Sequence, residues 1–188
     1  MKRIIIDMDH VMADITTQYL TWYKQYTGVE IERSALTGKN EVAAFPNSEM
    51  VRNFLYTPGF FRTAPVMEDS QQVIEKLHKY HEVFIVSAAM EFPQSLSEKY
   101  YWLEEHFPFL SWKQFVLCGD KRVIKGDYMI DDHLKNLDFF EGEKLLYTSP
   151  HNMLIEGYTR VNNWQDVAAI LLTPEMIAEA KTLDTVAR

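Results

Sequence analysis

Two aspartates one residue apart, Asp7 and Asp9, follow directly on an apolar run, Ile4-Ile5-Ile6, with Asp14 a short way beyond. Three consecutive isoleucines read as a strand buried on both faces of a parallel sheet. The carboxyl ends of such strands are where α/β proteins bind ligands. Carboxylates placed there can hold a hard cation, and one of them can attack an electrophile. A polar turn that merely stops a strand looks the same locally, so the pair has to be weighed with the rest of the chain.

Other strand patterns end in equally useful residues. Val83-Phe84-Ile85-Val86 leads to Ser87, Phe115-Val116-Leu117 is followed shortly by Lys121, and Tyr128-Met129-Ile130 runs into Asp131-Asp132. Parallel strands bring such ends to one edge of a sheet. A nucleophilic carboxylate, a second carboxylate, a hydroxyl, a lysine and an acidic pair are the parts needed for Mg²⁺-assisted phosphoryl transfer. Mg²⁺ takes one or two carboxylates and leaves its other positions to substrate oxygens and water.

Strand and helix patterns alternate along the chain, which calls for an α/β fold, a parallel sheet flanked by helices. Ile15, Tyr19, Trp22, Tyr23 and Tyr26 recur at helical spacing until Gly28 stops the run, and this stripe reads as core packing. Residues 30 to 62 lack strand patterns and hold one short helix, capped by Asn47 or Ser48 after Pro46, before Thr57-Pro58-Gly59-Phe60-Phe61. This reads as a small helical cap inserted after the first strand and lying over the strand ends. The rhythm resumes after Pro65: Ser70 is expected to cap a helix bearing Val73, Ile74 and Leu77. A second helix, residues 95 to 106, should turn Leu96, Tyr100, Leu103 and Phe107 inward. A strand at Leu145 to Tyr147 and a helix from Val167 to Leu172 complete the core. Trp102, Trp112 and Trp164 read as packing residues. The expected organisation is a core of residues 1 to 14 and 65 to 175, a cap of residues 15 to 64, and an Ala-rich helical tail of residues 176 to 188.

Composition narrows the partners. A net charge of −8 over 188 residues disfavours a nucleic-acid polymer, whose binders gather Lys and Arg on one face, but one lysine and a cation can still neutralise a small phosphate. The single cysteine, Cys118, excludes an intrachain disulfide framework and is expected to be a buried thiol at a strand end. No apolar run reaches the length of a membrane span, and Asp7 ends the only stretch that follows the basic start Met1-Lys2-Arg3. A soluble, cytoplasmic protein is expected. Surface aromatics leave a homodimer possible without specifying one.

In order along the chain, Asp7-Met8-Asp9, Ser87, Lys121 and Asp131-Asp132 resemble the four motifs of the haloacid dehalogenase (HAD) superfamily. Pro58-Gly59-Phe60-Phe61, Glu98-Lys99-Tyr100-Tyr101-Trp102, Gly126 to Asp132 and His151-Asn152 are similar to signature stretches of its 5'(3')-deoxyribonucleotidases. The resemblance extends to about residue 170 and selects Lys121 over its neighbours Arg122 and Lys125. It implies a Rossmann-like, HAD-type core with a small helical cap after the first strand, and hydrolysis of nucleoside monophosphates through an aspartyl-phosphate. By position, Asp7 would be the nucleophile and Asp9 the general acid and base. The Asp7 side chain, the Asp9 carbonyl and Asp132 would hold Mg²⁺ with Asp131 in support, and Ser87 and Lys121 would bind the phosphoryl group.

The chain departs from the family pattern at His10, where Gly is usual, at Ile15, where Phe is usual, at Ala88 of a Thr-Ser pair, and at Gly119, an Arg in the family. The phosphate chemistry is complete, while the nucleoside side is altered. His10 reads as shaping its turn; His151 and Asn152 read as loop residues. Two alternatives stand beside this reading. One is a phosphatase of the same scaffold acting on another phosphomonoester such as a sugar phosphate; the other is a non-catalytic nucleotide- or metal-binding module.

Overall fold

Ile4, Ile5 and Ile6 lie in strand β1 (Arg3–Ile6), and all three side chains are buried. Successive side chains of a strand point to opposite faces. Ile4 and Ile6 therefore join the larger apolar core with Met8, Leu77 and Ile130, and Ile5 joins a smaller one with Val86, Met129 and Leu146. The computed structural model describes residues 1–176. Among these, β1 is joined by β2 (Glu82–Ser87), β3 (Phe115–Leu117), β4 (Tyr128–Asp131), β5 (Glu143–Tyr147) and β6 (Thr159–Val161). They form one six-stranded sheet in the order β3-β2-β1-β4-β5-β6, every neighbouring pair parallel. The order reverses at β1, which makes the carboxyl edge around β1 the topological switch point where such sheets bind ligands. Gly126, just ahead of β4, has no room for a side chain: a Cβ there would sit 2.8 Å from Ile5 Cγ1.

Among the described residues the sheet is accompanied by the α-helices α1 (Ile15–Thr27), α2 (Ser48–Phe54), α3 (Ser70–Tyr80), α4 (Ser95–His106), α5 (Leu134–Leu137) and α6 (Trp164–Leu171). The Asp14 carboxylate caps α1 by accepting from Thr17 N at 2.9 Å, so this third N-terminal aspartate is a cap rather than a member of the acidic cluster. Gly28 closes α1 in the left-handed conformation, φ 73°, its N–H donating to Lys24 O. Asn47 caps α2. Between α1 and α3 the described residues hold α2 and short 3-10 turns but no strand. Glu98 of α4 anchors this segment, accepting from the backbone N–H groups of Gly59, Phe61 and Arg62.

Several local expectations are corrected. Ser70 is the first helical residue rather than the cap of α3; its hydroxyl donates to Met67 O at 2.7 Å, and Asp69, in the left-handed region, occupies the cap position. α4 buries Ser95, Lys99, Trp102 and Leu103, leaving Leu96 and Tyr100 half-buried, because the helix docks on the Gly59–Arg62 turn as well as on the sheet. Trp102 and Trp164 are buried with their indole N–H groups on Ala64 O and Val11 O, but Trp112 is 66% exposed. Tyr26 of the aromatic stripe is exposed, and Cys118 is only half-buried. α6 begins at Trp164, capped by Asn163, earlier than expected. The very short elements β6 and α5 carry too few residues to show a period. The expected tail lies outside the described residues, apart from its first residue. No helix among the described residues is long and apolar enough to cross a membrane.

Candidate active site

The carboxyl edge of β1 and β2 opens into a cleft of about 510 Å³ whose lining includes Asp7, Asp9, Ser87 and Lys121. Asp131 and Asp132 lie behind these residues, buried, at the end of β4. The six residues singled out in the sequence are thus gathered at one place. Backbone pairing does the first part: Asp7 N donates to Ile130 O at 2.9 Å, locking the end of β1 to that of β4. A tight turn then returns the chain, with Met12 N and Ala13 N both donating to Met8 O and His10 held at φ 62°. His10 does shape the turn.

Lys121 is buried and donates to Asp7 Oδ1 and, at 2.7 Å, to Asp131 Oδ2. Asp131 is saturated with donors, since His133 N and Asn136 Nδ2 also reach it at 2.9 and 3.0 Å. It therefore serves as the anchor of Lys121. Asp132 is different. Ser149 Oγ donates to its Oδ2 at 3.4 Å, while its Oδ1 is buried with no hydrogen bond from any described residue. Buried polar atoms are rarely left so. Carboxylate oxygens of Asp7, Asp131 and Asp132 lie within 4.8 Å of one another. Oxygen donors this close, one of them unpartnered, fit a hard divalent cation.

Electrostatics point the same way. Burial, reinforced by the charges of Asp131, Asp132 and Asp9 and opposed by Lys121, pushes the Asp7 carboxyl up to about 7. Burial likewise raises Asp132 to about 7, against the pull of His10 and with the repulsion of Asp131. The lysines present do not balance the acids, and a bound cation would.

One participant escaped the sequence reading. Lys99, on the buried face of α4, donates to Asp9 Oδ2 and, at 3.1 Å, to Ser87 Oγ, with its ammonium 4.5 Å from the centre of the Phe61 ring. The signal in the sequence is weak: Lys99 lies in a stretch similar to the family signature, but a helical lysine is most often a solvated charge. Two ammonium groups therefore flank the acidic pair, Lys121 on Asp7 and Lys99 on Asp9.

The outer cleft is formed partly by the helical segment, through Glu41, Val42, Leu55 and Phe61. His151 also lines it, and Asn152 is buried beneath, donating to Asp132 O at 2.9 Å. Three of the departures from the family pattern, His10, Ile15 and Ala88, line this cleft, and Gly119 does not. The arrangement can hold a tetrahedral anion between two lysines, over a carboxylate able to attack it and beside a second carboxylate able to move a proton.

Comparison with known proteins gives the family and the fold. The family described as "5' nucleotidase, deoxy (Pyrimidine), cytosolic type C protein" matches residues 1–180. A "Putative 5'(3')-deoxyribonucleotidase" of Staphylococcus epidermidis is 40% identical over 167 residues, 88% of this chain and 93% of that protein. A 5'(3')-deoxyribonucleotidase of Bacillus subtilis is 38% identical over 174 residues, 92% of this chain and all of that protein. Among solved structures, a haloacid dehalogenase-like hydrolase from Streptococcus pneumoniae superposes with a TM-score of 0.57 at 12% identity, covering 90% of this chain and 98% of that one. At that identity the likeness speaks for the fold alone.

Proposed function

The chain belongs to the 5' nucleotidase, deoxy (Pyrimidine), cytosolic type C family, and on that premise we propose that it is a Mg²⁺-dependent phosphatase of nucleoside monophosphates that works through an aspartyl-phosphate on Asp7. The observation that carries this reading is the convergence of Asp7, Asp9, Ser87, Lys99 and Lys121 on one cleft at the carboxyl edge of the sheet. The volume, about 510 Å³, suits a nucleotide-sized ligand.

In this reading a carboxylate oxygen of Asp7 attacks phosphorus in line with the leaving nucleoside oxygen, forming the P–O bond to Asp7 as the ester bond breaks. Asp9 acts as the general acid that delivers a proton to the leaving oxygen, and Lys99, donating to its Oδ2, positions it. Asp9 then takes a proton from water, which attacks the acyl-phosphate and releases inorganic phosphate. Lys121, Lys99 and Ser87 supply fixed donors to the phosphoryl oxygens as charge shifts among them. Asp7, the Asp9 carbonyl and Asp132 would hold Mg²⁺, with Asp131 in support; the bound ion would screen phosphate charge from the attacking carboxylate. The helical segment, residues 15 to 64, acts as the cap that walls the nucleoside side. The lone cysteine and the acidic surface fit a cytoplasmic setting and a small-molecule substrate rather than a nucleic-acid polymer.

A panel of phosphomonoesters assayed with Mg²⁺ tests the reading. Nucleoside monophosphates should be hydrolysed most efficiently. Sugar phosphates turned over faster than every nucleotide would overturn it, and binding without any phosphate release would point to a non-catalytic module.

A further inference from the structure

Glu41 belongs to neither the acidic cluster nor the lysine pair, yet it lines the same cleft. It stands in the helical segment between α1 and α2, and its Oε1 is the meeting point of two imidazoles. His10 Nε2 lies 2.6 Å from it and His151 Nδ1 3.2 Å. The other end of the His10 ring is fixed as well, with Nδ1 3.2 Å from Thr16 Oγ1. No described residue donates to Glu41 Oε2.

Charge decides what this oxygen can recognise. Burial opposes ionisation of Glu41, but His10 and His151 outweigh it and hold the carboxyl well below its usual range. An ionised carboxylate accepts hydrogen bonds and cannot donate them. It welcomes a hydroxyl or an N–H and repels a second phosphate.

Position narrows the donor further. His151 Nε2 is 3.5 Å from Asp132 Oδ2, so a single imidazole ring separates the Glu41 carboxylate from the acidic cluster. The part of a nucleoside monophosphate that lies next to the phosphorus is the sugar; the base edge lies further out. Taking the nucleoside monophosphate reading as given, we infer that Glu41 Oε2 accepts a hydrogen bond from the free sugar hydroxyl of the substrate and is a specificity-determining residue. Its pre-set orientation between two imidazoles lets it do so without a large ordering cost.

The test compares a 2'-deoxynucleoside 5'-monophosphate with the 2',3'-dideoxy analogue of the same base, which lacks that hydroxyl. Phosphate release is measured with Mg²⁺, and kcat/KM is expressed as the ratio of the two substrates so that a general loss of activity cancels. The unmodified enzyme should favour the hydroxyl-bearing substrate by about 10–100-fold, the worth of a hydrogen bond to a charged group. In Glu41→Met, which has similar length and no acceptor, the ratio should fall to within about threefold of one. Glu41→Gln, which can keep the His10 contact through its carbonyl, should fall between the two. A ratio near one in the unmodified enzyme, or an undiminished ratio in Glu41→Met, overturns the inference while leaving the nucleotidase reading standing. If Glu41→Met does not fold, an unchanged ratio in Glu41→Gln overturns it equally. Absence of phosphate release from every nucleotide, with sugar phosphates consumed, defeats the parent reading and this inference together.

Discussion

Asp131 accepts from the Lys121 ammonium at 2.7 Å while the same nitrogen donates to Asp7. One carboxylate thus aims a lysine at another, with Asp131 fully buried and Lys121 buried but for its edge on the cleft. Lys121 is held charged despite burial by these two acids. This places a fixed positive charge beside the residue proposed to attack phosphorus.

Asp131→Asn should therefore weaken catalysis by loosening Lys121, with a loss in kcat/KM of about 10–100-fold, the usual effect of removing a supporting partner behind a site. Steady-state phosphate release, with circular dichroism as the check on folding, measures it. A folded variant within twofold of the unmodified rate would contradict the anchoring role.

Lys99→Met removes the donor to both Asp9 and Ser87 while filling a similar volume. A hydrogen bond to a charged group is worth about 1.5–3 kcal/mol, so kcat/KM should drop at least tenfold. An unaffected kcat/KM would make Lys99 a packing residue only.

The unpartnered Asp132 Oδ1 predicts cation-linked stability. Adding Mg²⁺ to chelator-treated protein should raise Tm, with a stabilisation of about 2.7 kcal/mol at a hundredfold excess over Kd. Asp132→Asn should lose most of that rise, which differential scanning calorimetry reads directly. A rise of equal size in the variant would remove Asp132 from the cation site.

Asp14 gives a pH-dependent prediction about the base of the cap. Burial alone would raise its carboxyl, but hydrogen bonds from Thr17 and the Arg33 charge outweigh burial and hold it below the usual range. The folded-state value is thus depressed, so its contribution to stability is complete above the unfolded value of about 3.9 and is lost as pH falls through the folded value. Asp14→Ala should cost about 0.5–2 kcal/mol near neutrality. The gap in Tm between the two proteins should be flat above about pH 5 and close as the pH falls below about 4. A gap that widens in acid would show that Asp14 is not ionised in the fold.

The sheet and its acidic edge were legible because they are written in contiguous residues. Ile4-Ile5-Ile6 before Asp7, and Tyr128-Met129-Ile130 before Asp131, each state a buried strand and its polar end. The cleft walls were not, because tertiary packing determines them. Lys99 sits among helical residues that would suit solvent, and it is the docking of Glu98 on the Gly59–Arg62 turn and of Trp102 on Ala64 O that covers this face of α4. Glu41 lies in a stretch with no hydrophobic period, and its partners His10 and His151 are far from it in sequence. Ser70 reads as a cap of α3 by residue type, but the backbone puts Asp69, in the left-handed region, at that position.

The most direct test of the account is rapid acid quench of the enzyme during turnover of a nucleoside monophosphate, followed by peptide mass spectrometry. The expected result is a phosphoryl group on the peptide bearing Asp7, absent when Asp7→Asn is used. Phosphate release at full rate with no label on that peptide, or with label on another residue, would contradict it.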